Sequence, residues 1–149
     1  MDPKSLTRDF KEFLRLLNDH RVEYLVIGGH AVAFHGHPRA TADLDVWVAV
    51  HPENASRLVD ALREFGFDLP ELKRDLFLQP DRVIRMGVPP NRIEIQTGID
   101  GVRFTDCHPR GIAADLDGVR VHFISLSDLK TNKRASGRNK DLADLDQLP

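Results

Sequence analysis

At 149 residues, with 41% hydrophobic and 30% charged side chains, the chain has the composition of one globular domain spanning residues 1–149, long enough to bury roughly 68–70% of its unfolded surface. A formal charge of −2 excludes a global pull toward nucleic acid or anionic membrane, so any polyanion must be met by a local patch. There is no apolar run near the ~18 residues of a membrane span, no signal-peptide h-region, and only one cysteine, Cys107, which excludes an internal disulfide and a ready nucleophile; a cytoplasmic protein without membrane contact is expected.

Leu6, Phe10, Phe13, Leu14 and Leu17 recur at spacings of three and four, which predicts an amphipathic helix over residues 4–20 that covers a sheet. Tyr24-Leu25-Val26-Ile27 is a short strand-forming run stopped by Gly28-Gly29. The two glycines predict a tight turn in which positive φ is allowed and no side chain keeps a ligand from the backbone. Ala31–Phe34 follows as a short buried helix, whose starting N–H groups favour phosphate oxygens. His30, His35 and His37 are dense enough to raise a zinc site. No other Cys or His cluster completes one, so substrate contact or turn chemistry is the expectation for all three.

Asp43-Leu44-Asp45-Val46-Trp47-Val48 alternates as a strand, so Asp43 and Asp45 share one face, about 6–7 Å apart at ~3.3 Å per residue. Aspartate is depleted in strands, and two on one strand need a reason. At ~6 Å and an effective dielectric of ~20 they repel by roughly 3 kcal/mol, a cost that a divalent cation converts into binding. Mg²⁺ takes a couple of carboxylates together with waters and substrate phosphates. The competing reading is a solvated edge strand with two surface acids.

His51-Pro52-Glu53 opens a helix with Ala55, Leu58, Val59, Leu62 and Phe65 on its buried face, and Gly66 ends it. Residues 68–80 read as loop or helix fragment. Arg82–Val88 and Arg92–Thr97 form a hairpin through Pro89-Pro90-Asn91. In Arg92-Ile93-Glu94-Ile95-Gln96 the isoleucines face one way, and Glu94 faces the other with Arg92 and Gln96. Paired beside the aspartate strand, Glu94 would lie ~5 Å from an aspartate; otherwise it is a solvent-face strand residue. Ile99-Asp100-Gly101 is a turn, and Val119–Ile124 alternates as a strand after Asp117-Gly118. Ser125 caps a helix running to Ala135, Gly137 breaks it, and Asn139–Leu148 resumes it. Lys130, Lys133, Arg134, Arg138 and Lys140 concentrate positive charge there, with no acid between 130 and 140.

Gly28-Gly29 followed by Arg39-x-Thr41-x-Asp43-x-Asp45 resembles the nucleotidyltransferase superfamily, the polymerase-beta-like fold. Within it, GGHAVAFHGHPRATADLD is most similar to the small bacterial nucleotidyltransferases grouped with abortive-infection toxins of toxin–antitoxin systems. The resemblance covers most of the chain. It implies an α/β (α+β) fold, a single mixed-sheet domain flanked by helices. It also implies a catalytic, metal-binding set of Asp43, Asp45 and Glu94 holding two Mg²⁺ ions, although relatives carry aspartate where Glu94 stands. Gly28, Gly29, His30, Arg39 and Thr41 would contact the NTP, and Lys133 and Arg138 its triphosphate. The resemblance further implies transfer of a nucleoside monophosphate to a hydroxyl acceptor, RNA and above all tRNA, with protein or a small molecule as other acceptors. A cognate antitoxin or toxin is the expected protein partner. A regulatory, antitoxin-type module with decayed chemistry and an antibiotic-modifying enzyme are the alternatives.

Overall fold

Thr7 accepts the Phe10 N–H at 3.1 Å and starts α1 (Arg8–Asp19), whose apolar stripe of Phe10, Phe13, Leu14 and Leu17 is fully buried. The structure, a computed structural model, describes residues 6–38 and 40–149; the part of the first predicted helix at residues 4 and 5 therefore lies outside the described residues. The chain continues through β1 (Tyr24–Ile27), α2 (Gly28–Phe34), β2 (Asp43–Val48), α3 (Pro52–Phe65), β3 (Val83–Met86) and β4 (Arg92–Gln96). It ends with α4 (Phe104–Cys107), β5 (Ile112–Leu116), β6 (Val119–Phe123), α5 (Leu126–Ser136) and α6 (Asn139–Gln147).

The strands form one mixed sheet in the order β3-β4-β2-β1-β6-β5. β2 runs antiparallel to β1 but parallel to β4, while β1 runs parallel to β6. The expected mixed α/β architecture with flanking helices is present. β1 is buried along its whole length, as a central strand of four apolar residues must be. On β2 the two faces differ: Leu44, Val46 and Val48 are buried in the core, whereas Asp43 and Asp45 remain partly exposed. Trp47, on the aspartate face, is covered by Phe104 of α4 in an edge-to-face contact at 5.2 Å. Among the described residues no helix is long and apolar enough to cross a membrane.

Three local differences from the sequence expectations have physical causes. No separate Gly-Gly turn exists, because α2 begins at Gly28 directly from the strand end. The ambiguous stretch after α3 contains a single 3-10 turn, Arg74–Phe77, anchored by buried Phe77. β5 has no periodic signature in Ile112–Leu116, since no residue of it is fully buried; it is an edge strand specified by pairing with β6 across Asp117 and Gly118, both at positive φ.

Candidate active site

Parallel pairing of β2 with β4 sets Asp45 opposite Glu94 and Asp43 opposite Arg92, so all four side chains share one face. They floor a polar cleft of ≈ 590 Å³. Its walls include Gly28, Gly29 and Thr41 on one side, the β3–β4 hairpin with Arg85 on another, and Arg138 and Lys140 from the start of α6. Three sequence segments therefore meet at the acids: the glycine pair, the β2–β4 strands and the C-terminal basic run.

Gly28 has φ +66, and a Cβ built there would overlap the Asp45 carboxylate. Ile27 pairs with Asp45 across the sheet, so the first residue after β1 necessarily abuts that carboxylate. Glycine at 28 thus serves two ends, a left-handed backbone and room for Asp45. The sequence reading assigned that space to a ligand, whereas the nearest occupant is a side chain of this protein.

The acids are electrostatically coupled. Burial of Asp45, a hydrogen bond shared with Glu94, and the charges of Glu94 and Asp43 push the Asp45 carboxyl up to about 8, against a smaller pull from Lys140. Burial and the neighbouring acids thus favour the protonated form of Asp45. Burial also acts to raise Glu94, but hydrogen bonds from Asp45 and Arg85 and the charge of Arg85 outweigh it, leaving Glu94 below the ordinary glutamate value. Arg85 Nε donates to Glu94 Oε1 at 2.8 Å. Arg92 donates to both oxygens of Asp43, Nε at 3.2 Å and Nη2 at 2.7 Å. Neither arginine was singled out as a site residue from the sequence. For Arg92 the signal was present, since period 2 puts it on the face of Glu94; Arg85 needed the hairpin register.

Of the five basic residues of the run only Lys133 is buried, while Arg134, Arg138 and Lys140 are exposed. Lys133 is 4% exposed, and its Nζ lies 3.0 Å from Asp141 Oδ1 and 3.1 Å from Asp144 Oδ2. Its ammonium is thus committed to two acids of α6, which lie beyond the segment whose lack of acids drew attention to it. Asp141 also accepts from Ser136 Oγ and Arg138 Nε, each at 2.7 Å. Burial would raise Asp141, but the hydrogen bonds from Arg138, Ser136 and Lys133 prevail and hold it at about 2. Arg138 and Lys140 are exposed and face the cleft. Lys140 joins the site although only its place in the basic run marked it beforehand.

Thr41 lies in the cleft and donates its hydroxyl to the Asp43 carbonyl at 3.2 Å. His30 does not reach it. Its ring is 7% exposed, packs edge-on to Phe10 at 5.6 Å, and lines an apolar pocket with Leu6, Phe34, Leu116 and Phe123. α2 starts at Gly28, so a residue two positions on turns toward α1 rather than toward the acids. Arg39 lies outside the described residues.

Three carboxylates on one face of the sheet, lining one cleft, are the donor chemistry a hard divalent cation selects. The donor set fits Mg²⁺. Among the described residues, however, no three His, Cys, Asp or Glu side chains are grouped as a ready cation cage, because Asp43 and Glu94 are turned to Arg92 and Arg85.

Comparison with known proteins identifies the family and the fold. A family model described as "Nucleotidyltransferase of unknown function (DUF6036)" matches residues 4–148. The fold is similar to that of a candidate nucleotidyltransferase from Thermotoga maritima, 16% identical, with a TM-score of 0.63 over 95% of this chain and 94% of that one. It is also similar to an antigenic nucleotidyltransferase-like protein from Paracoccidioides brasiliensis, 17% identical, with a TM-score of 0.52 over 95% of this chain and 76% of that one. At these identities the likeness is one of fold. No curated protein matches the sequence.

Proposed function

The chain belongs to the DUF6036 family of nucleotidyltransferases, and we propose, from the resemblance of residues 28–45 to toxin-type nucleotidyltransferases, that it transfers a nucleoside monophosphate from an NTP to a hydroxyl of RNA, tRNA above all, in a Mg²⁺-dependent, toxin-like reaction. The observation that carries this reading is the register of β2 on β4, which sets Asp45 beside Glu94 and two residues from Asp43 at the floor of a cleft walled by Arg138 and Lys140.

Asp43, Asp45 and Glu94 would hold two Mg²⁺ ions. Bound there, the ions supply a lowered pKa at the acceptor hydroxyl and charge stabilisation for the departing pyrophosphate. Either Asp45 or Glu94, whichever carboxylate lies nearer the acceptor, would take the proton of the acceptor hydroxyl. Backbone N–H groups of Gly28 and Gly29 and the Thr41 hydroxyl orient the triphosphate. Arg138 and Lys140 balance the charge that moves toward the leaving group. Lys133 supports this wall from behind by fixing Asp141, which in turn holds Arg138. Lys133 also lines the same cleft as the acids.

A second reading, a nucleotide-binding module of antitoxin type without transfer, draws support from one observation: Arg92 and Arg85 already neutralise Asp43 and Glu94. Incubation with α-labelled NTPs, Mg²⁺ and total cellular RNA separates the two. Label on RNA is expected. Nucleotide binding with no label on any acceptor favours the second reading, and label on an aminoglycoside alone would move the assignment to small-molecule modification.

A further inference from the structure

The guanidinium of Arg92 lies between two of the three acids. It engages both oxygens of Asp43, and its Nη2 stands 3.8 Å from Glu94 Oε1. Strand register brings the two side chains within reach of each other, because Asp43 and Arg92 are direct partners across β2 and β4. The fork of an arginine on a carboxylate is the strong form of the ion pair. Arg85 holds Glu94 from the other side at 2.8 Å. Asp43 and Glu94 thus each have an arginine partner already in place. An ion held by Asp43 and Asp45 must therefore compete with a tethered one that is already seated.

We propose that Arg92 is a resident counterion of the carboxylate cluster, which a divalent cation must displace from Asp43, so that the site fills only together with a phosphate-bearing nucleotide able to take up the guanidinium. The inference rests on reading the cluster as the cation site of a nucleotidyltransferase. Arg92 lines the same cleft as Arg138 and Lys140, and guanidinium matches phosphate in the same bidentate geometry as carboxylate. Displacement thus costs less when phosphate is present. That difference is a coupling between ion and nucleotide, and it is reciprocal.

The test uses Mn²⁺ as a paramagnetic probe of free and bound ion, with the full chain as wild type, Arg92→Gln and Arg92→Lys. Without nucleotide, Arg92→Gln should bind Mn²⁺ roughly ten- to a hundredfold more tightly than wild type. Arg92→Lys keeps the charge and loses the fork, and should fall between them. A non-hydrolysable NTP analogue should tighten Mn²⁺ binding far more on wild type than on Arg92→Gln. Thermal melts verify folding, and Arg92→Lys carries the test if Arg92→Gln does not fold. Mn²⁺ affinity in both variants equal to or below that of wild type overturns the counterion role and leaves the nucleotide reading standing. Absence of Mn²⁺ binding in every protein, with and without nucleotide, overturns both.

Discussion

Replacing Lys133 by alanine separates a brace from a substrate ligand. Lys133 is 4% exposed and is bonded to Asp141 and Asp144, which are 1% and 6% exposed. Truncation leaves both carboxylates without their shared ammonium in a site closed to water. Removing one partner of a buried ion pair costs about 3–5 kcal/mol, because the remaining charge stays desolvated. For a domain of this size that is a fall in melting temperature of roughly 10 °C. Arg138→Ala is the comparison: its side chain is 71% exposed, and it should cost less, roughly 1.5 kcal/mol for one charge-assisted hydrogen bond to Asp141. Its loss from the cleft wall should nevertheless lower transfer efficiency about ten- to a hundredfold, the worth of one charge-assisted phosphate contact. Thermal or urea melts paired with steady-state transfer of labelled NTP read both quantities. If Lys133→Ala melts within ~2 °C of wild type while transfer collapses, Lys133 touches the triphosphate and the brace is refuted.

Asp45→Asn should abolish transfer and leave the fold intact. Because the folded-state value of Asp45 lies near 8, above its ordinary 3.8, the folded protein holds a proton that the unfolded chain releases. Ion-free wild type should therefore lose stability as pH rises from about 4 to about 8, and Asp45→Asn should flatten that slope in pH-dependent melts. By the same linkage, calorimetry in buffers of different ionisation heat should show Mg²⁺–nucleotide binding releasing a proton below pH 8 and none well above it. NTP should bind poorly in excess EDTA, and equal affinity with and without Mg²⁺ would count against a shared site. Gly28→Ala should disable transfer and lower the melting temperature, since the new methyl meets the Asp45 carboxylate at a left-handed φ; wild-type turnover would show that Asp45 need not sit there.

Local patterns were legible in the chain because they depend on neighbours a few residues away. The 3.6-residue stripe of α1, the His51–Pro52 start and Gly66 end of α3, the Ser125 cap of α5 and the alternation of Asp43 with Asp45 are all near-range physics, and each appears in the structure. The aspartate strand, the glycine pair and the basic run already pointed to phosphate chemistry. The strand β5 escaped notice, since an exposed edge strand carries no burial pattern and exists only through β6.

What tertiary structure alone decided is which charges meet. Alternation placed Arg92 and Glu94 on one face, but only parallel pairing with β2 put Arg92 on Asp43 and Glu94 on Asp45. Lys133 and His30 both read as nucleotide contacts; the α5–α6 corner folds Asp141 and Asp144 onto Lys133, and α2 turns His30 against Phe10. Period and composition settle which face a side chain takes. Lys133 lies 8 positions from Asp141 and Arg92 lies 49 from Asp43, and proximity across such separations is set by sheet register and helix packing, which no local window contains.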